Sequence, residues 1–195
     1  SDDSGDVRRA AVQELARGWK EDPDTLPMLK ERAQSDDSGA VRIAAVEELA
    51  RGWKEDPDTL PMLKERAQSD DYWDVRIAAV EELARGWKED PDTLPMLKEQ
   101  AQSDDSGAVR RAAVQELARG WKEDSSLLDF WCDRILNDPF EREDDFEANP
   151  RQIALKVLVQ QYPTHPKTYE LLADRAQNDN DEQLRKWAQR QLNHF

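Results

Sequence analysis

The sequence is short of the residues that most chemistry needs. It has one cysteine, Cys132, so no disulfide can form within the chain. That fits a reducing compartment and gives a cytoplasmic expectation. It has two histidines, His165 and His194, one in a loop and one beside the last residue. With a single cysteine they make no metal set of known spacing, so no metal ligands are assigned. Paired carboxylates occur everywhere and select no acid–base pair, so no catalytic residue and no cofactor are assigned. No phosphate-binding loop is present. No apolar run is long enough to span a bilayer, no leader is visible, and no strand pattern occurs anywhere. The chain begins at Ser1 inside a repeat. The expectation is a piece of a longer array, or a processed tag remnant followed by a truncated one.

What is abundant is charge. In 195 residues there are 28 Lys+Arg against 43 Asp+Glu, a net charge of −15, with 36% charged and 37% hydrophobic residues. Such a field repels nucleic acid and anionic lipid and favours basic partners. The modest apolar share suits an elongated stack, in which every unit has much surface for its volume.

Self-similarity dominates the rest. "VRRAAVQELARGWKED" begins at Val7 and returns at Val109, and "VRIAAVEELARGWKED" begins at Val41 and Val75, a period of 34 residues. Between these strings lies "PDTLPMLKERAQSDD", from Pro23 and Pro57, with a near copy from Pro91. The pattern then diverges. "HPKTYELLADRAQND" from His165 aligns with "DPDTLPMLKERAQSD" from Asp56, and "LRKWAQRQL" from Leu184 with the string at Val41. From Val109 to Pro150 the spacing stretches to 41 residues, placing seven extra residues near "PFEREDDFEANP". Six copies of the Val-Arg helix and five linking helices follow.

Each string reads as a helix. Val41, Ala45, Leu49 and Trp53 recur at steps of four, flanked by Ala44, Val46 and Gly52, and make one apolar stripe. On this reading Trp19, Trp53, Trp87 and Trp121 are core, and Trp131 and Trp187 are packing variants. Asp36, Asp37 and Ser38 are placed to accept the first-turn N–H groups, and Pro57 enforces a stop. The linking helix starts at Asp58 or Thr59 and carries Pro61 in its first turn, with Leu60, Leu63 and Ala67 as its stripe. Neither helix buries its stripe alone, so the pairs must stack. The fold class expected is all-α: a right-handed α-solenoid, or superhelix, of antiparallel helix pairs over residues 1–195. Residues 1–138 are the regular copies, 139–149 an acidic insert read as a solvated loop, and 150–195 diverged C-terminal capping repeats.

The order Leu60-Pro61-x-Leu63, Asp70, Val75-Arg76, Ala79, Leu83 resembles a HEAT repeat, whereas the proline lies on the wrong side for a tetratricopeptide repeat. The resemblance covers nearly the whole chain. It implies a scaffold that binds proteins along a face lined by the second helices. It also implies a ladder of the turn aspartates Asp36, Asp70 and Asp104 with Arg42, Arg76 and Arg110. The close identity of the copies is similar to bacterial, especially cyanobacterial, arrays in the C-terminal sensing regions of NACHT-type signalling ATPases. The same fold class includes bilin-lyase-like enzymes and DNA glycosylases, and an excised or engineered array without separate activity is a third reading. A glycosylase needs a basic groove, which the charge disfavours.

Copies that agree are explained by packing, so a partner site is sought where they differ. Two residues after the valine stand Arg9, Ile43, Ile77 and Arg111; six after it stand Gln13, Glu47, Glu81 and Gln115; just before it the third copy has Asp74. These positions share one helical face. In the turn, three copies have Ser-Gly and the third has Tyr72-Trp73. Tyr and Trp are common anchors of interfaces. The expected partner site is an apolar centre of Tyr72, Trp73, Ile43 and Ile77 rimmed by Glu47, Glu81 and Asp74, with Arg9, Gln13, Arg111 and Gln115 flanking it. The partner expected is a protein with apolar and basic groups, not nucleic acid or membrane, bound by a monomer.

Overall fold

The computed structural model describes residues 4–194. Among these residues the chain is helical throughout, with six Val-Arg-type helices and five linking helices: α1 (Gly5–Gly18), α2 (Thr25–Ser35), α3 (Gly39–Gly52), α4 (Thr59–Ser69), α5 (Trp73–Gly86), α6 (Thr93–Ser103), α7 (Gly107–Gly120), α8 (Leu127–Asn137), α9 (Pro150–Gln161), α10 (Pro166–Asn178) and α11 (Glu182–Leu192). The odd-numbered helices carry the Val-Arg strings. The chain divides between Leu97 and Lys98 into two compact units.

In the first unit α2 packs on α3 and α4 on α5, while α1, α3 and α5 lie side by side. In the second, α8 packs on α9, α10 on α11, and α7 beside α9. Each unit is therefore a stack of antiparallel helix pairs, the packing of an α-solenoid. Its core is the predicted stripe. Val41, Ala45, Leu49, Val75, Ala79 and Leu83 have no exposed surface, nor have Leu63 and Ala67 of the linking helix. Met62, not Leu60, completes that stripe; Leu60 is half-buried.

The tryptophans that end these helices are not core. The helix stops at Gly52 and Trp53 is its C-cap, its N–H donating to Leu49 O at 2.9 Å. Trp53, Trp87 and Trp121 are half-buried and Trp19 is 56% exposed. The stripe drifts with 3.6 residues per turn, so the third step of four, from Leu49 to Trp53, leaves the buried face. What holds the ring instead is a lysine one repeat earlier: Lys20 Nζ lies 5.7 Å from the Trp53 centroid, and Lys54 Nζ 5.7 Å from that of Trp87. Trp131, by contrast, is fully buried, while Trp187 is half-buried under Lys156.

The turn aspartates do not cap the following helix. Ser38 is the N-cap, without a side-chain cap bond. Asp36 Oδ1 instead accepts the Ser38 N–H at 2.9 Å, within the turn. Asp70, Asp104, Asp138 and Asp179 repeat this with Tyr72, Ser106, Phe140 and Asp181. Freed from capping, the buried carboxylates receive arginines from the preceding Val-Arg helix. Arg8 grips Asp36 (3.0 and 2.8 Å), Arg42 grips Asp70 (2.9 and 2.8 Å), Arg110 grips Asp138 (2.8 and 3.1 Å) and Arg151 grips Asp179 (3.0 and 2.9 Å). These are bidentate, charge-assisted pairs. A second ladder runs between linking elements: Lys30 Nζ reaches Asp56 at 2.6 Å and Asp58 at 2.8 Å, and Lys64 Nζ reaches Asp90 at 2.7 Å and Asp92 at 3.1 Å.

These pairs set the response to acid. Hydrogen bonds from Arg8 hold Asp36 down to about 2, with the Ser38 N–H assisting against burial. Burial pushes Asp181 up, but bonds from Arg142, Asn149 and the Gln183 N–H outweigh it and bring it to about 2. A carboxylate depressed in the folded state stabilises above its unfolded value, about 3.9, and that stabilisation is lost as pH falls toward the folded value. The urea midpoint is therefore expected to hold from neutrality to about pH 4 and to fall steeply between about pH 4 and 2. For Asp36→Asn, a shallower fall is expected over that interval; equal slopes would show that the pair does not govern it.

Candidate functional site

The Val-Arg helices carry three parallel rows at steps of four: Gly5, Arg9, Gln13, Arg17 on α1; Gly39, Ile43, Glu47, Arg51 on α3; and Trp73, Ile77, Glu81, Arg85 on α5. Because α1 packs on α3 and α3 on α5, the rows stand side by side. The copy differences thus fall on one face. Ile43 and Ile77 are half-buried, Glu47 and Asp74 are exposed, Glu81 and Gln13 are half-buried, and Arg9 is exposed with Asp6 at 3.7 Å. Arg111, half-buried, and Gln115, exposed, occupy the same positions on α7 in the second unit.

Beyond the isoleucines the face opens into a groove of about 340 Å³ between α3 and α5. Ala50, Ala78 and Gly86 leave room for it, and Glu47, Glu81, Glu82, Arg51 and Arg85 line it. Burial pushes the Glu82 carboxyl up, and the neighbouring Glu47 and Glu81 add to this, while Arg85, 2.6 Å away, opposes it. The equivalent Glu48 is held from both sides, by Arg51 on its own helix and by Arg17 of α1 at 3.7 Å.

At the head of the rows stand the two aromatics. Trp73 is the first residue of α5 and 47% exposed; it leads directly to Ile77. Tyr72 is 53% exposed, and its covered half has a structural task. Its ring lies 4.8 Å from the Arg42 guanidinium, over the residue that grips Asp70. It also seats on Gly39, where an added Cβ would come within 3.2 Å of Tyr72 Cδ1. Phe140 sits the same way on Gly107, at 3.1 Å, and is buried. Sequence reasoning missed this equivalence. Its signal was present as Asp70-x-Tyr72 and Asp138-x-Phe140, each with a glycine 33 residues earlier. The second ladder was missed too, because lysine and aspartate of different copies carry no local spacing signal.

The acidic insert is not simply a solvated loop. Its carboxylates are exposed, but Phe140 and Asn149 are buried and Arg142 is partly so. Asn149 caps α9 through the Arg151 N–H and donates to Asp181 at 2.8 Å. Among the described residues, no group of three or more His, Cys, Asp or Glu is arranged to hold a metal ion. Nor, among the described residues, is any helix long and apolar enough to cross a membrane. Burial raises the Cys132 thiol pKa, which makes it a weak nucleophile.

Stacked helix pairs clamped by inter-copy Arg–Asp forks define a repeat protein of the α-solenoid class. The HEAT-repeat family model matches three overlapping stretches, residues 1–84, 38–118 and 73–145. The chain belongs to the HEAT-repeat family. No curated protein and no solved structure matches it.

Proposed function

We propose that the chain is a protein-interaction scaffold whose partner docks on the face of α3 and α5. The observation that carries this is the row Trp73, Ile77, Glu81: the one regular copy that replaces the turn's Ser-Gly with aromatics also continues them into an apolar and then acidic helix face. A partner with apolar groups toward the helix starts and a basic group toward the groove matches that order. The crowding of Glu47 and Glu81 around the half-buried Glu82, which Arg85 alone offsets, supports the same reading, since a basic group from a partner would add to that compensation. Within this reading residues 1–138 supply the binding array and residues 150–195 close it. In this reading the chain acts as a monomeric, non-catalytic module of a longer cytoplasmic protein.

The test separates the two aromatics. Trp73→Ala is expected to weaken the captured partner at least about tenfold, a hot-spot effect, with little change in melting temperature. Tyr72→Ala is expected to lower the melting temperature as well, because it uncovers Arg42 and Gly39. Isothermal titration and thermal melts of both variants read this. Unchanged affinity in Trp73→Ala would sink the assignment of the face.

A further inference from the structure

The insert of residues 139–149 holds a feature that folding does not use. Phe146 is 99% exposed, whereas the next most exposed large apolar residue, Tyr169, is 59% exposed. A ring so placed would be unremarkable on a loose loop, but this loop is braced. Arg142 grips Asp181 through Nε at 3.0 Å and Nη2 at 2.6 Å, and its Nη1 donates to the carbonyls of Asp144 and Glu147. Glu147 Oε2 accepts the N–H groups of Glu143 at 2.7 Å and Asp144 at 3.1 Å. Gln183 Nε2 donates to Asp145 O at 3.2 Å. The loop is thus tied to α11 on one side and closed on itself on the other, and it holds the ring away from the protein.

Beside the loop lies a cavity of about 390 Å³ between the insert and the start of α11. Phe140 and Arg142 line it, and the carboxylates of Glu141, Asp145 and Glu182 stand at it. An apolar knob and an acidic hollow therefore sit together at the insert and the start of α11, both in the second unit. A phenyl ring on a pre-braced loop binds without the ordering cost that a free loop carries. The surrounding carboxylates select a cationic partner and speed its approach.

We propose that the insert is a second docking element, in which Phe146 enters an apolar site of a partner segment while an arginine of that segment occupies the hollow between Asp145 and Glu182. The occupant is a peptide segment that alternates cationic and apolar side chains. The proposal stands independently of the α3–α5 face.

The experiment is an amide-resolved NMR titration of the full chain with an octapeptide of alternating arginine and leucine. An arginine–serine octapeptide is the charge-matched control. Saturable shifts are expected at residues 140–147 and 181–183. The control should bind at least about tenfold more weakly, and Phe146→Ala should weaken the arginine–leucine peptide by a similar factor with an unchanged melting temperature. Glu182→Gln should weaken it too, whereas Trp73→Ala should not. Equal binding of the control, shifts spread over acidic helices of both units, or full affinity in Phe146→Ala would each overturn the proposal.

Discussion

Arg151→Ala is expected to destabilise the second unit by about 3–5 kcal/mol, the cost of breaking a buried ion pair from one side. Arg151 is 6% exposed and spends every guanidinium nitrogen. Nε and Nη2 hold Asp179, and Nη1 donates to Asp138 O at 2.7 Å and Phe140 O at 2.9 Å. Alanine leaves Asp179, 2% exposed, with only Arg175 at 3.3 Å and the Asp181 N–H. It also unfastens the turn that opens the insert, from Asp138 to Phe140. Lysine at 151 should not rescue, because a single ammonium cannot make the fork. Arg175→Ala, which removes a long contact at the rim, should cost less than about 1 kcal/mol. Urea denaturation followed by circular dichroism measures all three, and hydrogen exchange locates the loss. Comparable midpoints for the 151 and 175 variants would show that the fork contributes no more than a surface pair.

The second large effect separates true core from apparent core. Leu83→Ala should cost about 2–5 kcal/mol, since Leu83 is wholly enclosed and the stacked copies cannot collapse around the gap. Trp87→Ala removes a larger side chain but should cost no more than about 2 kcal/mol. Its ring is half in water and rests on Lys54 rather than in the interior. Chemical denaturation of the two variants gives the comparison. A greater loss for Trp87→Ala would restore the tryptophan to the core, where a period-of-four reading puts it.

That misplacement shows where sequence is informative and where it stops. The 34-residue period, the helix types and the Val41, Ala45, Leu49 stripe were all legible, because neighbouring copies state them repeatedly and apolar periodicity is a local signal. Of the ladder implied by the family resemblance, Arg42 pairs with Asp70, whereas Asp36 is gripped by Arg8 and Arg110 grips Asp138, so the forks run one copy forward and include residues outside the expected set. The role of Asp36 was misread, since an acidic residue ahead of a helix looks like a cap whether its oxygens face the helix or an arginine 28 residues away. The candidate face was legible as a set of differing positions. Its shape was not, because the groove depends on how α3 meets α5 and on what small residues leave empty. Tyr72 and Phe140 show the same limit, for each answers to a glycine one copy earlier and to no nearer neighbour.

In a regular copy, the arginine after the valine also closes its own turn: Arg42 and Arg76 donate through Nη1 to the carbonyls of Asp36 and Asp70, six residues back. Arg151 makes that bond to Asp138, 13 residues back. The seven added residues are looped out while the clamp beneath them is unchanged, and doubling a loop adds only about 0.6 kcal/mol of closure entropy. The turn is thus a socket: here it carries seven added residues with the clamp intact, so residues inserted after the turn at Asp36, or after Tyr72 in the turn at Asp70, are expected to leave the Arg–Asp clamp in place.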